Sequence, residues 1–311
     1  MENSTADTKI SYAPHVALVF VQLMFGTFPV VGKIALQSFP SFGVVAIRVG
    51  SAALAFGALQ IFSGEIRLER RKDYLLMMFY AALGVIFNQL LSMKGLSLTT
   101  ATNSALLAVM MPVFVALISA VFGFDRLNWR KGVGILIAAA GVVYLIDPAQ
   151  ASFSAEHTRG DLMIVANGFC YAAYLAISKD VIARNGALRS LAWLFFFGSL
   201  ICVPIGAFSL SQIDFSQITA SSSAAMVFIV LFPTIGAYYL NAWALARVTP
   251  SVVAVYIYLQ PVIGFVLAVI FLGEKFTFKL FTAAILIFAG VFLVSKKFAA
   301  AENLHPHETQ A

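Results

Sequence analysis

Charge is what this sequence has least of. Only 11% of its 311 residues are Asp, Glu, Lys or Arg, roughly half the share of an average soluble domain. A chain this poor in charge and rich in apolar residues is not a disordered one. Cysteine is nearly absent. Cys170 and Cys202 both sit inside apolar runs, so they read as packing residues, and their number excludes a disulfide framework. Histidine is scarce as well: His15, His157, His305 and His307. No His-Glu-x-x-His and no metal-spaced Cys/His cluster occurs, so no metal site is expected. No Gly-rich loop ends in Lys-Ser/Thr, which excludes an internal ATPase. No serine is visibly paired with a base. The expectation is no enzyme, no catalytic residue and no cofactor.

Apolar residues fill the remainder, at 61% of the chain with a mean hydropathy of +0.91. A core of this size cannot hide that many apolar side chains, which leaves a polytopic membrane protein. The net charge of +6 would suggest nucleic acid in a soluble protein. In a membrane protein it means Lys and Arg in cytoplasmic loops, so no nucleic-acid partner is expected. The run Arg67–Lys72 reads as an orientation signal and a contact for anionic lipid.

A bilayer core needs about 20 apolar residues of helix, and unpaired backbone is not tolerated there. Ten runs qualify, near 15–36, 42–62, 74–93, 99–122, 132–147, 161–183, 189–209, 223–245, 250–273 and 277–296. Ten spans put both termini on one side. Lys9, Arg67, Arg70, Arg71, Lys72, Arg126, Arg130, Lys131, Lys179, Arg184, Arg189, Arg247, Lys296 and Lys297 share it, against Lys33, Lys94, Arg159, Lys275 and Lys279. The positive-inside rule therefore makes both termini cytoplasmic.

Residues 98–146 lie over 247–295 without a gap. Thr100 meets Thr249, Ala105 meets Ala254, Pro112 meets Pro261, Asp125 meets Glu274, Arg126 meets Lys275, Arg130 meets Lys279 and Gly141 meets Gly290. Each half then holds five spans. Five is odd, so the second half enters the membrane inverted, which is a transporter architecture. The expected fold is all-α, ten transmembrane helices in two inverted five-helix repeats. Residues 15–147 and 161–297 form the repeats. A linker at 148–160, a polar segment at 1–14 and a polar tail at 298–311 complete the chain.

Gly84 followed by Asn88-Gln89, then Gly95-Leu96 and Thr99-Thr100-Ala101, then Pro112 and Asp125 mark the first half. Thr249, Pro261 and Gly273-Glu274 repeat the pattern in the second, and Gly26, Lys33 and Arg48 stand in the first two spans. This sequence resembles the drug/metabolite transporter superfamily, EamA type, over residues 14–297. It departs from the usual pattern in having Asp125 where the first repeat commonly has Glu. The resemblance implies a carrier, often an exporter of amino acids or other small metabolites, in a bacterial inner membrane. It does not fix a substrate. Drug export within that superfamily, or a membrane-embedded enzyme or sensor, is the alternative, and the chain is expected to act as monomer or homodimer.

Polar groups inside spans usually face a cavity or the bundle interior. Asn167, Tyr171, Tyr174 and Ser178 share one helical face of span six. Asn88 and Gln89 in span three, Asn103 and Ser104 in span four, Tyr238, Tyr239 and Asn241 in span eight, Tyr256, Tyr258 and Gln260 in span nine, and Gln22 with Phe25 in span one complete the set. The expectation is a cavity whose amides hydrogen-bond a neutral or zwitterionic solute and whose rings pack its apolar part. The competing reading is helix-bridging amides and an interfacial tyrosine belt. Arg48 could bind a carboxylate, snorkel to the interface or anchor carbonyls; a structural role is expected. Lys33 and Lys179 are read as span-end residues that cap helix C-termini. Pro29, Pro112, Pro233 and Pro261 read as kinks, either gating hinges or static bends. Gly134, Ala138 and Gly141 form a small-residue stripe for helix contact. No acid lies mid-span, so transport coupled to a carboxylate proton is not expected.

Overall fold

The computed structural model of the chain describes residues 12–122, 129–146, 155–257, 259–275 and 277–295. Asp125, Tyr258, most of the polar N-terminal segment and of the 148–160 linker, and the C-terminal tail lie outside the described residues. The elements in chain order are α1 (Ala13–Ala35), α2 (Ser41–Ser63), α3 (Arg71–Leu98), α4 (Ala101–Val121), α5 (Trp129–Ile146), α6 (Glu156–Asn185), α7 (Ala187–Leu210), α8 (Ala220–Leu245), α9 in two pieces (Pro250–Tyr256 and Leu259–Leu272) and α10 (Phe278–Ser295). Among the described residues there is no strand.

Eight stretches are long and apolar enough to cross a membrane; α5 and α10 hold shorter apolar stretches, Gly132–Gly141 and Phe278–Gly290. The molecule is apolar outside. Leu54, Phe62, Val121, Phe208 and Phe278 are exposed, while Gln22, Arg48, Asn88, Gln89, Asn167, Asn241 and Gln260 are buried. That inversion of the soluble pattern makes this an integral membrane protein.

Local sequence sets the helix ends. Thr100 caps α4 by accepting from the Asn103 backbone N–H at 3.0 Å, and Thr249 caps α9 by accepting from the Val252 N–H at 3.4 Å, each satisfying an orphan helix donor. Gly186 ends α6 with φ +81°, a conformation that L side chains avoid. Lys179 does not end α6, contrary to the sequence reading. The helix continues to Asn185 and its last-turn base is Arg184. Arg184 and Asn185 both bond to Asp73, and this tie holds the additional turn together. Lys33 does stand in the last turn of α1.

The two halves match in register. Positions in α5 and α10 differ by 149 at both ends. Helices α3 and α8 each open into a π-helical segment, Ala82–Phe87 and Val230–Gly236, within one residue of the same offset. Gln89 and Tyr238, 149 apart, bond to each other. The small-residue stripe of α5 packs on α10. A Cβ at Gly290 would lie 2.4 Å from the Ala138 backbone nitrogen and 2.5 Å from the Gly134 carbonyl, so the two backbones touch. A 3₁₀ turn, Ala108–Met110, precedes Pro112 in α4, and Ile257, at the matching position ahead of Pro261, is likewise in a turn. Pro29 lies inside an unbroken α1, and Pro233 sits in the π segment of α8.

Candidate functional site

A cavity of about 80 Å³ lies where α1, α2, α3, α4, α6, α8 and α9 meet. On this measure one water needs about 10–15 Å³, so the space takes several waters or one small solute. Phe25, Phe28, Pro29, Arg48, Asn88, Gln89, Ser92, Ser104, Ala105, Ala108, Met111, Ile164, Asn167, Tyr171, Tyr238 and Gln260 line it. On α1, α2, α3, α4 and α6 these positions fall at helix midpoints or toward the α3–α4 turn. Tyr238, past the midpoint of α8, and Gln260, near the midpoint of α9, complete the lining.

Both π segments feed this wall. Such segments are rare and widen the helix locally, which re-aims the residues after them. Asn88 and Gln89 follow the first, Tyr238 and Asn241 the second. Asn88 Nδ2 donates to Asn167 Oδ1 at 2.5 Å. Gln89 Nε2 donates to the Tyr238 hydroxyl at 2.9 Å, which has the Asn88 Oδ1 at 3.0 Å and the Gly84 carbonyl at 3.1 Å as acceptors for its one proton. Asn241 Nδ2 donates to the Tyr171 hydroxyl at 3.0 Å, and Gln260 Nε2 to Gln22 Oε1 at 2.6 Å. Asn88, Gln89, Asn167 and Gln260 each keep amide capacity that no described protein group uses, and each borders the cavity. Phe25 packs edge-on to Tyr171 and Tyr238, with ring centroids 6.3 Å and 6.0 Å apart.

Of the residues singled out by sequence, Asn88, Gln89, Asn167, Tyr171, Tyr238, Gln260, Ser104 and Phe25 come together at this wall. Asn241 and Gln22 stand one bond behind it. Tyr174 packs on Gly84, where a Cβ would lie 2.7 Å from its ring. Tyr256 is further away, bonded to His15 at 2.9 Å. Asn103 lies toward the α3–α4 turn and donates to Asp161 at 3.2 Å. Arg48 does not snorkel: it is 2% exposed, its Nε donates to Thr234 Oγ1 at 2.8 Å, and its guanidinium lies 4.3 Å from the Phe28 ring centroid. Phe28, Ser92 and Met111 were not anticipated. Ser92 follows Asn88 by one helical turn and sits 149 positions before Asn241, a signal that the repeat carried.

Polar ties close both ends of the bundle. Near the α3–α4 turn, Asp161 on α6 accepts from the Thr99 hydroxyl and from Asn103. Glu274 accepts from the Ala101 and Thr102 backbone N–H groups at 2.9 and 3.0 Å and from the Thr102 hydroxyl. Near the α6–α7 turn, Asp73 on α3 pairs with Arg184 at 2.7 Å and accepts from Asn185 at 2.8 Å. The Asn185 Oδ1 accepts from the Glu69 N–H at 2.9 Å. Each tie joins the first half to the second. Among the described residues no group of His, Cys, Asp and Glu could hold a metal ion.

The model of the EamA-like transporter family matches residues 14–146 and again 158–296. An "Uncharacterized transporter" of Archaeoglobus fulgidus is 26% identical, with 91% of this chain and 97% of the relative covered. A "Probable terminal-alkyne amino-acid exporter" of Streptantibioticus cattleyicolor is 24% identical over 93% and 95% of the two chains. A solved structure described as "Crystal structure of protein" superposes with a TM-score of 0.66 at 18% identity, covering 91% of this chain and 97% of that one. The last likeness shows the fold alone. The family and these named relatives are transporters, not enzymes.

Proposed function

The chain belongs to the EamA-like transporter family with two repeats, and we propose on that premise that it is a secondary carrier working by alternating access. Its two repeats are inverted, and its solute is a small neutral or zwitterionic metabolite such as an amino acid. Helices α5 and α10, 18 residues each, complete ten crossings, since 18 residues reach about 27 Å of a ~30 Å hydrocarbon core. The α6–α7 end, with Arg67, Arg70, Arg71, Lys72, Arg184 and Arg189, faces the cytoplasm. Both termini lie on that side, in a bacterial inner membrane.

One observation carries the reading: a small cavity at the seam of the halves, walled by amides with unused capacity and by aromatic rings, with polar ties between the halves on either side of it. The repeat architecture supports rocking of one half against the other around such a site. Export as the direction, and amino acids as the class, are supported by the family and by the relative named as an amino-acid exporter. Carboxylates lie at helix ends and not mid-span, which supports exchange without a proton gradient.

The test is efflux of labelled amino acids from proteoliposomes with no imposed gradient. Release above empty vesicles is expected, and its absence, both with and without a pH gradient, would remove the assignment. Asn167→Ala and Tyr171→Ala are expected to lower that release roughly tenfold, one lost buried hydrogen bond being worth about 1–1.5 kcal/mol, while the protein stays folded. Unchanged efflux in both would take them out of the site.

A further inference from the structure

The cavity wall carries one full charge. Arg48 is the basic residue of the lining, and the lining contains no Asp or Glu. Among the described residues its guanidinium makes no ion pair, and its hydrogen bond goes from Nε to Thr234. The Phe28 ring covers one face. The two terminal nitrogens have no acceptor among the described residues, and Arg48 lines the cavity. The in-plane edge formed by those nitrogens is thus left without a protein partner.

A lone cation buried in a bundle is costly and is normally met by an opposite charge. Snorkelling does not relieve it, because Thr234 and Phe28 hold the side chain in the interior, about 10 Å along α2 from its nearer end. The fixed, planar edge with four N–H donors fits the two oxygens of a carboxylate in bidentate fashion, which an ammonium would not do. Thr234 belongs to the π segment of α8, and its hydroxyl donates in turn to the Ile229 carbonyl at 2.8 Å. Its proton is thereby committed, so its oxygen is left as an acceptor for Arg48. The π segment thus fixes the guanidinium plane.

We propose that Arg48 is the anion-binding group of the cavity and that the transported solute carries a carboxylate, held edge-on by its two terminal nitrogens. This deepens the carrier reading and rests on it. Asn167 and Gln89 are placed to bond polar groups near that carboxylate, and the Phe25, Tyr171 and Tyr238 rings to pack its apolar part. A free amino acid and a simple organic acid share this chemistry.

The experiment uses the full chain, purified, and reads two quantities. Thermal stabilisation in detergent reports binding, and counterflow in proteoliposomes reports transport. The probes are L-alanine and L-phenylalanine, their carboxamides, and propionate and 3-phenylpropionate. The acids are expected to bind roughly tenfold or more tighter than the amides, the usual size of a charge-assisted pair. Binding by the amine-free acids would mark the organic-acid class, and binding restricted to the amino acids would mark that class. Arg48→Gln is expected to erase the preference for acid over amide. Arg48→Lys should keep part of it, and Thr234→Val, which leaves the charge, should keep most of it. A merely structural arginine would lower stability without changing that ratio. Equal binding of acids and amides, a preference that survives Arg48→Gln, or no stabilisation by any acid overturns the proposal. Counterflow of a solute without a carboxylate would overturn it and leave the carrier reading standing. Acid binding without counterflow would do the reverse.

Discussion

The two ends of the bundle are closed by different chemistry. At the α6–α7 end a full ion pair, Asp73 with Arg184, is backed by Asn185. At the α3–α4 end two carboxylates from the second half, Asp161 and Glu274, grip the start of α4 through hydroxyls, an amide and backbone N–H groups. The helix N-terminus supplies partial positive charge there. Opening an ion pair gives up a charge–charge attraction in addition to its hydrogen bonds. A cap on a helix N-terminus opens into water, which replaces the donors at small cost. The α3–α4 end is therefore the softer latch, and the cavity lies toward that end.

The contrast can be broken from either side. The largest effect is expected from Gly160→Ala. A Cβ there would lie 2.8–2.9 Å from backbone atoms of Gly95, Leu98 and Thr99, which cannot yield as a side chain can. A loss of about 2–3 kcal/mol is expected, read as a lower melting temperature. A cysteine placed at Ser104 in a Cys170→Ala, Cys202→Ala background should also label faster with an impermeant thiol reagent. Unchanged labelling would mean that this end does not gate the cavity.

Next comes Arg184→Ala. Asp73 is 1% exposed, and without its partner it keeps only Asn185 among the side chains bonded to it. About 2 kcal/mol should be lost, with little dependence on salt because the carboxylate is buried. A melting point unmoved by the substitution would make the pair decorative. Glu274→Gln should cost less, about 0.5–1 kcal/mol, since an amide oxygen still accepts one N–H. If it costs more than Arg184→Ala, the order of the two latches is wrong. The smallest effect is expected at Gly57, away from both ends. Nothing lies within 4 Å of a Cβ there, so Gly57→Ala should be neutral or stabilising by about 0.5–1 kcal/mol.

Much of this was legible in the sequence, for physical reasons. A span shows itself by continuous hydropathy, and the helices lie where the apolar runs do. Buried amides show themselves because they are out of place, which is how Asn88, Gln89, Asn167 and Gln260 were found. The repeat showed itself through its prolines and glycines, because backbone geometry tolerates few substitutes at such points. The rest lacked a pattern. A π segment has no residue signature, so the turn that aims Tyr238 was invisible. Depth along a span does not give direction, so Arg48 could be placed in the membrane but not at the cavity. Lys179 was read as closing its span, while tertiary bonds carry α6 on to Asn185. The acids at the helix ends were placed outside mid-span and given no partners. Only their partners, 58 to 173 positions away in the chain, make them latches.

The bond between Gln89 and Tyr238 joins two equivalent positions of the repeat. Were the halves identical, exchanging their conformations would regenerate the same molecule turned over, and the two access states would be isoenergetic by symmetry. Here the exchange swaps an amide for a phenol, and beyond Arg189 in its first turn α7 has no basic residue to take the place of Arg48. The cation has no mirror image. In the alternating-access carrier proposed above, the site itself would lift the degeneracy, so the empty carrier would have a preferred resting side without any external gradient to impose one.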